Sequence, residues 1–197
     1  MERKKLSYNE LNQPIVFVID MINGFINEGA LHDKRIMNIV DPVKEVMDQL
    51  ECRNVFVCDN HPPHTREFNS FPTHCLIGSH ESEVIDELKP YIKRLMKKNS
   101  TNTFHCQDFL TFLEEEIDNY KDIVVMGCCT DLCVLQFVLT FQSWLNEHNK
   151  KEHRIIVPSN CVETYDIVDV HSADYWNKAA LDNMAINGVC VIDSFVE

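Results

Sequence analysis

Asp20, Lys98 and Cys133 are far apart in this 197-residue chain, but together they are the residue types that acyl transfer needs. A cysteine supplies a nucleophile able to form a thioester. A carboxylate can take the thiol proton and return it to a leaving amine. An ammonium beside the thiol would lower its pKa and favour the thiolate. Cys133 closes the run Gly127-Cys128-Cys129-Thr130-Asp131-Leu132-Cys133, just inside the predicted helix Leu132–Glu147. Free backbone N–H groups and the positive end of the helix dipole would also favour a thiolate there. The same N–H groups of the 127–133 turn could receive the oxyanion of a tetrahedral intermediate.

A second constellation is Asp59-x-His61, with Glu67 and His74 further along. Two imidazoles with one or two carboxylates suit Zn²⁺, Mn²⁺ or Fe²⁺ and leave positions for water or substrate. His64, Cys75 and His80 are rival ligands in the same stretch. Ligand type alone does not separate the three metals.

The elements that must position these groups follow from short apolar runs alternating with helical periods. Pro14–Ile19, Asn54–Cys58, Ile92–Lys97, Asp122–Met126, His153–Val157 and Gly188–Asp193 are mostly β-branched and apolar on both faces, as buried parallel strands are. Val40–Leu50, Glu81–Tyr91, Asp108–Ile117, Leu132–Glu147 and Ser172–Ile186 carry helical spacing. Six strands alternating with five helices predict a three-layer α/β/α sandwich with a mostly parallel six-stranded sheet, one domain over residues 1–197. Right-handed crossovers leave the C-terminal strand ends on one edge, where ligands bind. Asp20, Asp59 with His61, Lys98 and the 127–133 turn follow the first four strands and share that rim. Residues 59–80 form a loop too long for an ordinary connection, and so a candidate functional one. Asp169-Val170-His171 precedes the last helix and is read as its N-cap, with an approach to the pocket as the alternative.

Lys plus Arg total 18 against 31 Asp plus Glu, a net charge of −13 that disfavours nucleic acid and anionic membranes. The N-terminal run Met1-Glu2-Arg3-Lys4-Lys5 leads into polar residues rather than an apolar segment, and no apolar run is long enough to span a bilayer. These features predict a cytoplasmic protein. Nine cysteines, an odd number without repeating spacing, are then expected as free thiols. Neither Cys128-Cys129 nor Cys129-x-x-x-Cys133 has the spacing of a dithiol redox motif.

Val18-Ile19-Asp20-Met21 followed by Phe25, Lys98 six residues before Phe104, and G-x-x-T-D-x-C-V ending at Val134 together resemble the isochorismatase-like cysteine hydrolases. The match runs from about Pro14 to Asp193. The resemblance implies Cys133 as nucleophile, Asp20 as acid/base and Lys98 as electrostatic partner. It further implies a cis peptide between Cys128 and Cys129, with the Cys129 and Cys133 amides as oxyanion hole. The pattern Asp59, His61, Glu67, Phe71-Pro72 and His74 is similar to the metal site of nicotinamidases, where the pyridine nitrogen binds the metal and aims the carboxamide at the cysteine. On that analogy Asp59, His61 and His74 are the core ligands and Glu67 the additional carboxylate. Phe25 and Phe71 then flank the substrate ring, ordinary core packing being the alternative. Relatives in this superfamily are commonly dimers or tetramers, which implies a homo-oligomer.

This chain departs from the nicotinamidase pattern in three places. The loop between His61 and His74 is shorter, Asn60 replaces the usual tryptophan, and Thr101 stands where an aromatic residue is common. The expected activity is hydrolysis of a small carboxamide, nicotinamide to nicotinate and ammonia, through a Cys133 thioester. The alternatives are another small amide or an isochorismate-type substrate, and a catalytically silent metal-binding scaffold.

Overall fold

A computed structural model describes residues 3–197. Met1 and Glu2, which belong to the predicted 1–197 domain and to the N-terminal reading, lie outside the described residues. The strands in chain order are β1 (Leu6–Ser7), β2 (Ile15–Ile19), β3 (Arg53–Asp59), β4 (Leu95–Lys98), β5 (Asp122–Cys128), β6 (Arg154–Pro158), β7 (Val162–Glu163), β8 (Cys190–Ile192) and β9 (Phe195–Val196). The helices are α1 (Asn23–Ile26), α2 (Val40–Gln49), α3 (Gln107–Glu115), α4 (Leu135–Glu147) and α5 (Ala173–Ile186).

The main sheet has the order β4-β3-β2-β5-β6-β8, and every pairing in it is parallel. All six expected strands are present, so the predicted α/β class holds. The strand count does not, because the sheet has seven strands. β6 pairs only with residues 122–124 of β5 and ends at Pro158. A short 3-10 turn, Ser159–Cys161, then returns the chain as β7 against Gly127 and Cys128. β1 and β9 form a separate parallel pair that joins the two ends of the chain.

Alternation along the strands separates two apolar layers. Val16, Val18, Phe56 and Met126 pack beneath α2, against Val43, Val46 and Met47. Ile15, Phe17, Ile19 and Val125 face α3, α4 and α5. On that second face Phe17 meets Phe109, Phe112 and Phe137 edge-on, with ring centroids 5.8, 5.5 and 5.6 Å away. Burying an aromatic or large aliphatic side chain of this kind contributes about 1.5–3 kcal/mol.

The helix expected over Glu81–Tyr91 does not form. Its apolar spacing is satisfied, since Val84, Ile85 and Leu88 are buried beneath the sheet. The backbone is used differently: Val84 bridges Ile22 in antiparallel fashion, Ile85 N–H donates to the Met21 carbonyl, and the Glu83 carbonyl accepts from Asn23 N–H. Those long-range bonds replace helical ones, and Pro90 would interrupt a helix in any case. Only short 3-10 turns remain, at His80–Ser82 and Lys89–Tyr91. The predicted cap also moves. Ser172, not Asp169 or His171, accepts from Tyr175 N–H at the start of α5.

No helix among the described residues is long and apolar enough to cross a membrane. All nine cysteines are free, seven of them buried.

Candidate active site and metal centre

Strand register aligns the charged trio. Asp59 pairs with Lys98 across β3 and β4, and Asp20 N–H donates to the Val57 carbonyl at 2.8 Å. β4 alternates exposed Leu95 and Lys97 with buried Met96 and Lys98, so this edge strand turns its last lysine inward. Asp20 has φ of 51°, a left-handed conformation that aspartate tolerates better than most residues. Its Oδ1 accepts from Asp59 N–H at 2.9 Å. Lys98 Nζ lies 2.8 Å from Asp20 Oδ2, also donates to Asp59 Oδ1, and reaches Cys133 Sγ at 3.9 Å.

These groups are buried, so their charges set one another's protonation. Burial works against the Lys98 ammonium, but Asp20 and Asp59 outweigh it and hold its pKa well above the ordinary range. Burial likewise opposes ionisation of Asp59, which Lys98, His61 and His74 overcome, keeping it well below the usual carboxylate range. Burial and the Asp59 carboxylate push Asp20 up to about 6, against the pull of Lys98 and a hydrogen bond with Cys133. Lys98 lowers the Cys133 thiol pKa as expected, but the net shift is upward. Burial pushes the Cys133 thiol up, Lys98 offsets this only partly, and Asp20 and Asp59 add to it. The two carboxylates that share the lysine carry charges that oppose its pull on the sulfur. A neutral thiol beside a carboxylate of raised pKa suits proton transfer at the moment of attack, not a resting thiolate.

Cys133 does not sit in a regular first helical turn. Thr130–Val134 is a π-type turn leading into α4, a geometry often found at functional sites. The Cys129 carbonyl accepts from Leu132 and Val134 at 3.1 Å each and passes over Cys133 N–H, which an α-helix would have engaged. Cys129 N–H has no hydrogen-bond acceptor among the described residues. The Cys128–Cys129 peptide is cis, as the resemblance implied. Gly127 opens this turn with φ of 113°, against the end of β2. A Cβ there would lie 2.0 Å from the Ile19 carbonyl oxygen. Gly127→Ala is therefore expected to destabilise the fold by more than about 3 kcal/mol, measurable by urea denaturation. A change within about 0.5 kcal/mol would contradict this packing.

The four expected metal ligands converge. One donor atom from each of Asp59, His61, Glu67 and His74 lies within 4.8 Å of the others. The rival ligands fall elsewhere: His80 binds Glu28 at 2.7 Å, and the Cys75 thiol points to the Glu81 carbonyl at 3.8 Å. His64, at φ of 64°, is outside the group. His61 Nδ1 bonds Asn99 Oδ1 at 2.8 Å, and His74 Nδ1 bonds the Pro72 carbonyl at 2.7 Å. Because both partners are acceptors, each Nδ1 carries a proton, and on the neutral ring Nε2 is the atom left to offer a lone pair to a metal ion. His61 Nε2 is buried without a hydrogen-bond partner, and it and His74 Nε2 lie 3.6 and 3.8 Å from Asp59 Oδ2. An orphan lone pair aimed at a carboxylate fits a divalent cation, and outer bonds of this kind orient metal-binding histidines. Glu67 is braced by Thr101, whose N–H and hydroxyl both donate to its carboxylate at 3.1 Å.

A cavity of about 260 Å³ joins the two constellations. Phe25, Phe71, Asp59, His74, Cys129 and Cys133 all line it, so both predicted aromatic residues border the same space as the thiol. Sequence reading missed Leu31 and Tyr165, which complete the wall. No period marks them, because both lie on irregular connections.

Comparison with known proteins agrees with this fold. The Isochorismatase domain family matches residues 14–194, and the chain belongs to this family of isochorismatase-like hydrolases. Nicotinamidase 1 of Arabidopsis thaliana is 29% identical over 185 residues, covering 83% of this chain and 72% of that protein. Among solved structures, PnC1 from L. infantum in complex with nicotinate has a TM-score of 0.76 at 19% identity, covering 98% of both chains. The pyrazinamidase of Pyrococcus horikoshii in complex with zinc has a TM-score of 0.71 at 18% identity, covering 92% of this chain and 99% of its own. At these identities the structural likeness speaks for the fold.

Proposed function

We propose that this protein, as one catalytic unit over residues 1–197, hydrolyses a small uncharged carboxamide, nicotinamide to nicotinate and ammonia, in the cytoplasm. The observation that carries the reading is a single cavity bordered by the Cys133 thiol, 3.9 Å from Lys98, and by Asp59, Glu67 and His74, whose donor atoms converge with that of His61.

Cys133 sulfur attacks the carboxamide carbon while its proton passes to Asp20. The oxyanion is received by the Cys129 and Cys133 amides. Collapse breaks the C–N bond, and Asp20 returns the proton to the departing ammonia, leaving a thioester. Asp20 then takes a proton from water, whose oxygen attacks the thioester and releases the carboxylic acid as the proton returns to sulfur. Lys98 stays protonated and keeps Asp20 and Asp59 in place. Asp59, His61, Glu67 and His74 would hold Zn²⁺, with Mn²⁺ or Fe²⁺ as alternatives, and such an ion supplies a Lewis acid for the pyridine nitrogen. Phe25 and Phe71 flank the ring.

A second reading keeps this chemistry and changes the amide. Thr101 lines the cavity where nicotinamidases often carry an aromatic ring, so the limit on substrate shape differs on that side.

Ammonia release from nicotinamide by the purified full chain tests the reading. Chelation is expected to lower it at least about tenfold, with recovery on adding Zn²⁺, Mn²⁺ or Fe²⁺. Release from other small amides but not nicotinamide would move the assignment to the second reading. Metal binding without release from any amide would identify a silent scaffold.

A further inference from the structure

His171 lies outside the catalytic and metal sets, yet it is 8% exposed and fully bonded. Its Nε2 lies 2.8 Å from Asp131 Oδ2, and its Nδ1 lies 2.9 Å from the Tyr165 carbonyl. Each ring nitrogen thus faces an oxygen, so the imidazole spans the two partners. The ring stacks on Tyr165 with centroids 3.9 Å apart at 18°, and more loosely on Trp176 of α5 at 5.5 Å and 11°. One imidazole thus holds both the face and the main chain of Tyr165, a wall of the substrate cavity.

The other end of the contact is the nucleophile turn. Asp131 stands between Cys129 and Cys133, and its second oxygen accepts from Thr164 Oγ1 at 2.6 Å. Residues 167–171 form a tight loop, closed by Ile167 N–H to the His171 carbonyl at 2.9 Å and His171 N–H to the Ile167 carbonyl at 2.8 Å. Ile167, within this loop, lines the cavity too. Without His171, Asp131 keeps Thr164, but the Tyr165 carbonyl and ring lose their clamp.

We propose that His171 is a positioning residue that fixes Tyr165 as a wall of the substrate cavity and couples this wall to the Cys133 turn through Asp131. The proposal rests on the reading of the cavity as an amidase site. It does not require His171 to touch the reacting atoms. Loss of the clamp should weaken substrate binding in the ground and transition states alike, which raises KM and leaves kcat.

The test compares metal-loaded wild type with His171→Gln, which retains part of the bonding and loses the ring. For nicotinamide hydrolysis, KM is expected to rise about tenfold with kcat within about twofold. Amide hydrogen exchange across residues 164–171 should accelerate, while alkylation of Cys133 by iodoacetamide stays within about twofold of wild type. An unchanged KM, or a fall in kcat at unchanged KM, would overturn the proposal, as would unchanged exchange. If wild type releases no ammonia from nicotinamide, the amidase reading fails for that substrate and the exchange arm decides the positioning claim alone. Should His171→Gln fail to fold, Trp176→Leu removes only the outer stacking partner, and a smaller KM rise is expected; none would overturn the proposal.

Discussion

Cys133→Ala is expected to lower ammonia release from nicotinamide at least about a thousandfold without unfolding the protein. The thiol is the nucleophile that forms the acyl-enzyme, and alanine cannot replace it. Asp20, Lys98 and the free Cys129 N–H would remain, so residual turnover would come from binding and oxyanion stabilisation alone. The cost in stability should be small, because the substitution removes one sulfur from a site that already opens onto a cavity. A variant retaining more than about a tenth of wild-type turnover would show that another group attacks the amide. Cys129 also borders the cavity and would be the next candidate. Mass spectrometry after a brief reaction should find the acyl adduct on Cys133 in wild type and none in the variant.

The second large effect concerns Lys98, whose side chain is 1% exposed between two buried carboxylates. Lys98→Met preserves much of the shape and removes the charge. Asp20 and Asp59 then face each other without a cation, and removing one partner of a buried ion pair costs about 3–5 kcal/mol. Turnover should fall by a factor of about a thousand as well, because Asp20 would hold its proton and could not accept that of the thiol. The pH dependence has a definite sign. Without Lys98 the folded pKa values of both carboxylates rise, so the penalty is present where they are ionised and is relieved as pH falls and they protonate. The variant should therefore lose more stability relative to wild type at about pH 8 than at about pH 5. Added divalent metal should restore part of the loss by binding the folded state. Urea denaturation at the two pH values checks this, and an equal deficit at both would mean that Lys98 acts through packing.

Much of the site is legible in the amino-acid sequence. Parallel strands are apolar on both faces, so PIVFVI and DIVVM stand out, and the residues that follow each must lie on the sheet's C-terminal rim. That topological rule gathers Asp20, Asp59, Lys98 and Cys133 from widely separated positions. The 81–91 segment misleads for the opposite reason. Its spacing describes which side chains are buried, and a chain paired with Ile22 and Met21 can bury Val84, Ile85 and Leu88 without forming a helix.

What the sequence by itself determined is the kind of chemistry available and the sheet that collects it. Residue type sets the nucleophile, the carboxylate and the imidazoles, and local periodicity sets the strands and most of the helices. Only the tertiary structure decided how those groups affect one another. Lys98 looks like an activator of Cys133 when spacing is all that is known. Once folded, it is divided between Asp20 and Asp59, and burial pushes the thiol pKa up. The Nδ1 bonds that turn both Nε2 atoms toward Asp59, the π-type turn around Cys133, and the clamp of His171 on Tyr165 have the same origin. Each depends on distance, burial and hydrogen-bond direction between segments remote in the chain, and no local pattern encodes those quantities.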